Sequence, residues 1–445
     1  MSRILITSAG ALNRQIGGGQ AYVQDLAMGL RDKGHKVFVL EPGGAATSPS
    51  IEITEWQWQG IPVYSLPLPL PGESLRDQIT ELGRERIEWI KKLLMHLAPD
   101  VVQINGMMPS LVGACRELGL RHVVVAHHPG EVCPKGDLLR PDDSICTLRP
   151  GIDVCAPCVL RCKKPGFGIG RLLALVPVSI YRLLGGLFAT RNHLGYLGRV
   201  LRIPWEVEQK LVGLASYLKG AQQIVAPSSA MGAALARAGV EPSRLRVVHH
   251  GIHPIKVPPI EGLHGRPIRF GFVGRIDHAK GVHILLEAMA LLDPRGEAEL
   301  HIHGATTNPR DQAAWQRHLD RLGNPPWLYL HGAFARNEVE KVYAAIDALV
   351  LPAICLEAFG LVVAEALSAA RPVLTTDCGG PAEQIVHGEN GWIVPPHNVG
   401  ALAEQLRRLV NSRDEILSVA ASQRSGLKTH ALYVNEIEVL ILADD

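Results

Sequence analysis

The stretch Glu357–Glu365, EAFGLVVAE, places two carboxylates on either side of an apolar segment that opens on a glycine. The apolar residues after Gly360 predict the N-terminus of a buried helix. Free backbone amides at such a terminus bind anions, and a glycine lets a phosphate approach the backbone closely. The flanking carboxylates would accept hydrogen bonds from sugar or ribose hydroxyls attached to that phosphate. The stretch suggests a nucleotide-sugar site, although an ordinary helix with an acidic first turn has the same pattern.

The chain is long enough for more than one hydrophobic core and has the composition of a folded, soluble protein. Its 445 residues favour two domains, with 47% hydrophobic and 20% charged residues. A net charge of +2 provides no overall attraction to nucleic acid, so we expect no nucleic-acid partner. The first three residues lead directly into the strand-like segment ILIT, so we expect no secretory signal and a cytoplasmic location.

Strand-like and helix-like segments alternate along the first half of the chain. Short β-branched runs are separated by stretches with apolar residues at helical spacing. This alternation is typical of an α/β fold in which crossover helices cover a parallel sheet. The predicted strands are Ile4–Thr7, Val37–Leu40, Val101–Ile104, Val123–Ala126, Ile224–Ala226 and Arg246–Val248.

A segment rich in proline and glycine, from Pro254 to Pro267, separates this series from a second one. Two parallel sheets in series normally bind a ligand in the cleft between the carboxyl ends of their strands. We therefore expect a first domain over 1–253, a second over 254–425, and a terminal segment, 426–445, that returns to the first domain. The elements predicted in the second series are strands Ile268–Val273, Glu299–Ile302, Trp327–Leu330, Ala348–Leu351 and Val373–Thr375, and helices Val282–Leu292, Asp311–Leu322, Glu338–Ile346 and one after Gly360.

Three consecutive glycines, Gly17, Gly18 and Gly19, precede the first predicted helix. They could form a loop that meets a phosphate or a reacting sugar, and they could also be a plain surface loop. A dinucleotide-binding turn is a further interpretation, because Glu41 follows the second strand where a ribose-binding acid would sit. The glycines do not form the compact Gly-x-Gly-x-x-Gly turn after the first strand, so a nicotinamide enzyme is disfavoured.

A basic loop, Gly274–Gly281, follows a strand and opens a helix in the second half. Arg275 and Lys280 could project from it into the cleft and bind a diphosphate. Cations at this place would also stabilise the charge on a departing nucleoside diphosphate. In the first half, His127 ends a strand at the cleft edge. It could hydrogen-bond a sugar or steer a proton, although a lone histidine is more often structural.

Several of these segments together resemble glycosyltransferase family 4, whose members are retaining enzymes with the GT-B fold. That fold has two Rossmann-like parallel-sheet domains facing each other across a cleft. The resemblance covers most of the chain except roughly residues 130–205, an insertion in the first domain. The segments that carry it are GGGQAYVQDLAMGLRDKGHKV, VVVAHH, IVAPSSAMGAALARAGV, GRIDHAKG and EAFGLVVAEALSAARPVLTTDCGGPAEQIVHGENGWIVPP.

The resemblance implies a catalytic role for four residues. Arg275 and Lys280 would hold the donor diphosphate, Glu357 would contact hydroxyls of the donor sugar, and His127 would contact the transferred sugar. It also implies front-face attack with retention, in which the leaving diphosphate helps to remove the acceptor proton. Such enzymes need no metal at the reaction centre.

The resemblance assigns donor binding to a second group of residues. Backbone amides at Phe359, Gly360 and Leu361 would meet the sugar and the phosphates, and Glu365 would hold the ribose. The remaining donor-binding positions are Gly17, Gly18, Gly19 and Gly274. The donor would be a UDP, GDP or ADP sugar. Where the family usually has Asn-Gly-Ile-Asp, this chain has His250-Gly251-Ile252-His253, so a contact there is left open.

Five of the eight cysteines fall within the insertion: Cys133, Cys146, Cys155, Cys158 and Cys162. Four of them could form a tetrahedral thiolate site for a structural zinc ion, because Cys155 and Cys158 have Cys-x-x-Cys spacing. A segment with little core of its own would gain folding energy from the metal. Free thiols, a redox pair and an iron–sulfur cluster are the alternatives.

The insertion also contains an apolar segment, Leu172–Ala189, that is too interrupted to cross a bilayer. Its basic surroundings suit either an anionic membrane surface, on the inner face of the cytoplasmic membrane, or a helical excursion packed on the domain. The basic residues are Lys163, Lys164, Arg171, Arg182, Arg191, Arg199 and Arg202.

From these patterns we expect a retaining glycosyltransferase that acts on a saccharide or lipid-linked saccharide, in cell-envelope or exopolysaccharide biosynthesis. Two alternatives remain at this point. One is a non-catalytic sugar-nucleotide-binding scaffold that kept the fold. The other is an epimerase or a glycosyl phosphorylase on the same fold.

Overall fold

The computed structural model contains two α/β units, each built around its own sheet. It describes residues 1–13, 17–43, 54–66, 68–70, 73–162, 176–177, 179–180, 195–422 and 427–443. Within these ranges, no helix has both the length and the apolar character needed to span a membrane. Most of the basic, apolar part of the insertion lies outside the described residues.

The first sheet has eight strands in the order β3-β4-β2-β1-β5-β6-β7-β8, and all neighbouring pairs except β3 with β4 are parallel. Its strands are β1 (Arg3–Thr7), β2 (Lys36–Pro42), β3 (Thr54–Trp58), β4 (Ile61–Leu66), β5 (Val101–Asn105), β6 (Arg121–Val125), β7 (Gln223–Ala226) and β8 (Leu245–Val247). The six predicted strands are confirmed. The sequence analysis missed the β3–β4 hairpin, although Trp56 and Trp58 alternate with polar residues before a turn at Gly60.

Helices cover both faces of this sheet, so its central strands are apolar on both sides. In β1, Ile4 and Ile6 belong to the hydrophobic cluster on one face and Leu5 to the cluster on the other. The helices are α1 (Gly18–Asp32), α2 (Leu75–Thr80), α3 (Arg84–Leu97), α4 (Pro109–Leu118), α5 (Ile152–Cys162), α6 (Gly195–Gly220) and α7 (Ser229–Arg237).

The second sheet has six parallel strands in the order β11-β10-β9-β12-β13-β14. Every element predicted in this half is present. The strands are β9 (Ile268–Val273), β10 (Ala298–His303), β11 (Leu328–Gly332), β12 (Ala348–Leu351), β13 (Val373–Thr376) and β14 (Gly391–Val394). The helices are α8 (Val282–Leu292), α9 (Pro309–Leu322), α10 (Val339–Ala344), α11 (Leu361–Ser368), α12 (Gly380–Glu383), α13 (Val399–Asn411) and α14 (Arg413–Ser422).

The last helix, α15 (His430–Leu442), lies on the first unit and packs against α1. Tyr433, Val434 and Ile437 are buried in the cluster that α1 forms with the first sheet. The hydroxyl of Tyr433 also donates a hydrogen bond of 2.8 Å to the hydroxyl of Tyr22 in α1. The chain therefore crosses between the units twice, once before β9 and once before α15.

A turn in the insertion also contacts both units. Leu138 is buried in a hydrophobic cluster of the first unit, and its neighbour Leu139 is buried in the cluster of the second. The two ends of the turn are joined by an isolated bridge between Leu139 and Ile145. At its tip, Asp143 contacts His278 of the second unit, with Oδ1 and Nε2 3.2 Å apart. The insertion is thus part of the interface between the units.

A buried carboxylate fixes the start of the second sheet. Asp347 is fully buried and accepts hydrogen bonds from two guanidinium groups, those of Arg266 at 2.7 and 2.8 Å and of Arg269 at 2.9 Å. Burial would raise the pKa of Asp347, but these hydrogen bonds outweigh burial and lower it. The cluster joins the linker between the units to β9 and β12.

Replacing Asp347 with alanine should reduce the free energy of unfolding by about 3 kcal/mol, because it leaves both arginines without their buried acceptor. Urea denaturation at pH 7 measures this. Asp320→Ala, which removes an exposed carboxylate on α9, is the matched control and should change stability by no more than about 0.5 kcal/mol. Equal, small losses in both variants would contradict the structural role of Asp347.

A second buried carboxyl group, Glu131, lies in the turn that follows β6. It is 3% exposed, and its Oε1 accepts a hydrogen bond of 3.2 Å from the backbone N–H of His127. Its Oε2 has no hydrogen-bond partner among the described residues. Burial raises the pKa of Glu131 to about 8, so the carboxyl group is protonated at neutral pH.

This raised pKa predicts a loss of stability as the pH increases. In the unfolded chain Glu131 ionises near its ordinary pKa of 4.5, so its stabilising effect is complete below about pH 4, declines above that pH and is lost as the pH passes about 8. Relative to Glu131→Gln, the wild type should lose about 1.4 kcal/mol per pH unit in this window. Urea denaturation at pH 5, 6, 7 and 8 tests this, with the exposed Glu85→Gln on α3 as control. A difference between wild type and Glu131→Gln that stays constant with pH would contradict it.

Candidate active site

The loop after β9 has a shape that local interactions determine. Gly274, with φ +143°, ends the strand, and Gly281, with φ +69°, begins α8. Between them, the Asp277 side chain accepts a hydrogen bond of 3.0 Å from the backbone N–H of Lys280. A side chain at Gly281 would collide with the Pro352 carbonyl, because a Cβ there would lie 1.9 Å from its oxygen. The loop therefore keeps a fixed path next to the loop that follows β12.

An ion pair links the two loops. Lys280 Nζ lies 2.5 Å from Glu357 Oε2, and both side chains are mostly buried. Burial would lower the pKa of Lys280 and raise that of Glu357, but the pairing outweighs burial in both. The lysine pKa is raised and the glutamate pKa is lowered, so both groups are charged. Arg275 lies beside this pair with its side chain about half exposed.

The helix α11 begins directly beside this ion pair. Gly360 has φ +78° and precedes the helix, and a Cβ there would lie 2.8 Å from the Pro381 side chain. The Phe359 side chain is buried, and this holds the backbone next to Gly360 in place. Across the cleft, a Cβ placed on Gly18 would lie 3.4 Å from the Leu361 side chain. Contrary to the predicted loop before the helix, Gly17 is the N-cap of α1, and Gly18 and Gly19 lie in its first turn. The first turn of α1 therefore meets the N-terminus of α11.

One turn further along α11, Glu365 is held by two neighbours. The hydroxyl of Tyr343 donates a hydrogen bond of 3.0 Å to it, and Arg336 Nη1 lies 3.6 Å from its other oxygen. Burial raises the pKa of Glu365 despite these contacts. Arg336 also pairs with Asp25 of α1 at 2.7 Å, so it connects the first unit to the second. Asp25, Arg336 and Glu365 line a cavity of about 290 Å³ between the units.

His127 lies on the first unit and faces an aromatic cluster. Its ring centroid is 4.3 Å from that of Tyr22 and 5.2 Å from that of His250, which in turn lies 5.0 Å from Phe359. Burial lowers the pKa of His127 to about 3, so the ring is neutral. Its Nε2 lies 2.9 Å from Asn105 Oδ1.

The pKa of the neighbouring His128 depends on charged side chains of the second unit. Burial lowers its pKa, and Arg275 lowers it further, while Glu357 acts in the opposite direction. From the sequence, the sugar contact was assigned to His127 alone. Two adjacent histidines at a strand end do not show which ring faces the other unit, so His128 received no role. Arg336 and His250 were also not predicted as site residues. For His250, its replacement of the asparagine in the family's Asn-Gly-Ile-Asp could have indicated a role.

The cysteines of the insertion do not form the predicted zinc site. All eight cysteines are free, and within the described ranges no group of three or more histidine, cysteine, aspartate or glutamate side chains is arranged to hold a metal ion. Cys133 and Cys146 instead pack against the hydrophobic cluster of the first unit. The side chains of Cys158 and Cys162, one helical turn apart, hydrogen-bond each other, and this raises the pKa of Cys158 and lowers that of Cys162.

The prediction that the cysteine-containing segment has little hydrophobic core of its own is wrong. Residues 152–162 form helix α5, which packs along α6. Ala156, Val159 and Leu160 are buried there against Val200 and Ile203. The segment is therefore stabilised by helix packing. The remaining basic residues that suggested membrane contact lie outside the described side chains, and Arg202 pairs with Glu206 at 2.7 Å.

Comparison with protein families and relatives agrees with this arrangement. The model "Glycosyl transferases group 1" matches residues 256–424, and "Glycosyltransferase Family 4" matches residues 16–150. A D-inositol 3-phosphate glycosyltransferase from Streptomyces bingchenggensis is 28% identical over 221 residues, which are 46% of this chain and 48% of that protein. The chain thus spans about half the length of the curated relatives it matches.

Solved structures show the same fold over the whole chain. Sucrose-phosphate synthase from Thermosynechococcus elongatus aligns with a TM-score of 0.69 at 17% identity, covering 99% of this chain and 98% of that one. Anabaena HepE, solved in complex with UDP and glucose, aligns with a TM-score of 0.67 at 16% identity, covering 100% of both chains. With two parallel-sheet units and two family models that together match most of its length, the chain belongs to glycosyltransferase family 4 and has the GT-B fold.

Proposed function

We propose that the protein is a retaining glycosyltransferase that moves a sugar from a nucleoside-diphosphate sugar to a hydroxyl of a saccharide or lipid-linked saccharide. The observation that carries this proposal is the 2.5 Å contact between Lys280 Nζ and Glu357 Oε2. It lies beside the N-terminus of α11, which meets the first turn of α1 at Gly18. A cation, an acid and free amides then meet in the cleft, as a diphosphate bonded to a sugar requires.

In this proposal the cationic side chains bind the diphosphate and stabilise its departure. The bond between the anomeric carbon and the phosphate oxygen breaks while the acceptor oxygen forms a bond on the same face of the sugar. The acceptor's proton passes to a phosphate oxygen. Arg275 and Lys280 balance the negative charge that develops on the departing diphosphate, and being held in place before reaction makes them effective.

Glu357 and Glu365 would then bind hydroxyls on either side of the diphosphate. Glu357 is ionised because Lys280 lowers its pKa, so it can accept hydrogen bonds from the donor sugar. Glu365 would bind the ribose after exchanging its contact with Arg336, which at 3.6 Å is the weaker of its two contacts. His127 would contact the transferred sugar from the first unit.

UDP-sugars are the first donors to test, because Anabaena HepE has been solved with UDP and with UDP-glucose. GDP and ADP sugars follow. We place the reaction at the inner face of the cytoplasmic membrane, in cell-envelope or exopolysaccharide assembly. A lipid-linked acceptor would bring the protein to that surface, and the basic residues of the insertion would favour anionic lipids.

Lys280→Ala and Glu357→Ala should each reduce the slow hydrolysis of the donor by at least about 100-fold, because each removes a group that contacts charge or hydroxyls in the transition state. The rate of release of the nucleoside diphosphate from UDP-, GDP- and ADP-sugars measures this. Lys341→Ala on α10, whose lysine is 80% exposed, and Glu404→Ala on α13 are matched controls that should keep the wild-type rate.

Two results would count against the proposal. Undiminished turnover in both Lys280→Ala and Glu357→Ala would show that the reaction does not use this site. Tight binding of a donor without hydrolysis or transfer to any acceptor would instead favour a non-catalytic binding protein. Product analysis by NMR, with free phosphate as one acceptor, distinguishes a transferase from a phosphorylase or an epimerase.

A further inference from the structure

We propose that Asn105 is a positioning residue that keeps His127 in the tautomer protonated at Nε2, which leaves Nδ1 as a hydrogen-bond acceptor. This inference rests on the proposed function, in which His127 contacts the transferred sugar. Asn105 is the last residue of β5, and β5 lies between β1 and β6 in the sheet. It is therefore placed between Thr7, which ends β1, and His127, which follows β6.

The orientation of the Asn105 amide is fixed by its other neighbours. Its Nδ2 donates a hydrogen bond of 2.8 Å to the Thr7 carbonyl oxygen, and its backbone N–H donates to Thr7 Oγ1 at 2.7 Å. The reversed amide would place two carbonyl oxygens in contact. Gln103 Nε2 also approaches Oδ1, at 3.4 Å, as a donor. Oδ1 is therefore the atom that faces His127.

An acceptor at this position determines which nitrogen of His127 carries the proton. Asn105 Oδ1 can only accept, so His127 Nε2, at 2.9 Å, must be the donor. A neutral imidazole carries one proton, so Nδ1 has a lone pair, and no protein group among the described residues donates to it. A sugar hydroxyl can donate to this nitrogen.

Asn105 is suited to this role because it is neutral and 2% exposed. A carboxylate in its place would stabilise the imidazolium ion and remove the acceptor at Nδ1. The other titratable groups that face the His127 ring or its backbone are Tyr22 on α1, Glu131 in the following turn and His250 after β8. Glu131 titrates near pH 8, so a window from pH 5 to 7 isolates the histidine from it.

The test is a long-range ¹H–¹⁵N correlation spectrum of protein labelled with [¹⁵N]histidine, in which His127 is assigned by the loss of its signals in His127→Gln. We expect the neutral tautomer protonated at Nε2 from pH 5 to 7. The tautomer protonated at Nδ1, or an imidazolium ion at pH 7, would overturn the proposal. This spectrum needs no substrate, so it tests the tautomer even if the protein hydrolyses no donor. A failure to hydrolyse any donor would count only against the proposed function.

Asn105→Asp provides the second measurement. The imidazolium signal should appear within the pH 5 to 7 window, and donor hydrolysis should fall about tenfold for each pH unit below the raised pKa of His127. Wild-type hydrolysis should show no such step. Thr80→Val on α2 is the control: its side chain is buried and donates to the Arg76 carbonyl oxygen, and it makes no hydrogen bond with Asn105 or His127, so it should change stability but neither the tautomer nor the pH profile. An Asn105→Asp spectrum unchanged from wild type would also overturn the proposal.

Discussion

The Lys280–Glu357 ion pair is the interaction on which the proposed function of the cleft depends. Each group is largely removed from water, and each stabilises the charged form of the other against burial. The pair holds the loop after β9 against the loop after β12, so it also preserves the space in which a diphosphate would lie. A bound donor would offer the lysine a stronger anion and the glutamate neutral hydroxyls. Donor binding would then replace the contacts between these two side chains with contacts to the donor, so neither charge would be left without a partner.

The two units contribute different chemistry to this space. The second unit supplies the Lys280–Glu357 charges and the N-terminus of α11, whereas the described cleft residues of the first include Asp25, the glycines that begin α1 and neutral, buried rings. His127 and His250 both have lowered pKa values because burial disfavours their charged forms. In the proposed reaction these neutral rings would not compensate the negative charge of a departing diphosphate, which would be left to the cations of the second unit.

Much of this arrangement was predictable from local sequence patterns. Apolar runs identified all six parallel strands predicted in the first half, and Gly274, Gly281 and Gly360 marked turns that need positive φ. Interactions between distant segments were not predictable in this way. The contact of Arg336 with Asp25 and Glu365 depends on how the units face each other. The cysteine spacing suggested a metal because helix α5 could not be distinguished from an irregular loop. The β3–β4 hairpin was missed because β3 is half polar and Pro62 interrupts the apolar run of β4.

The turn at Leu138–Leu139 bears on how the enzyme would move. Each of these adjacent leucines is buried in a different hydrophobic cluster, one on each side of the cleft. The Pro-rich linker, the crossing before α15 and the pair of Arg336 with Asp25 also connect the two lobes. Each of these connections restricts a simple hinge rotation of one lobe against the other. Opening wide enough to admit a bulky acceptor would require one leucine to leave its cluster, so the insertion would set the free-energy cost of opening the cleft.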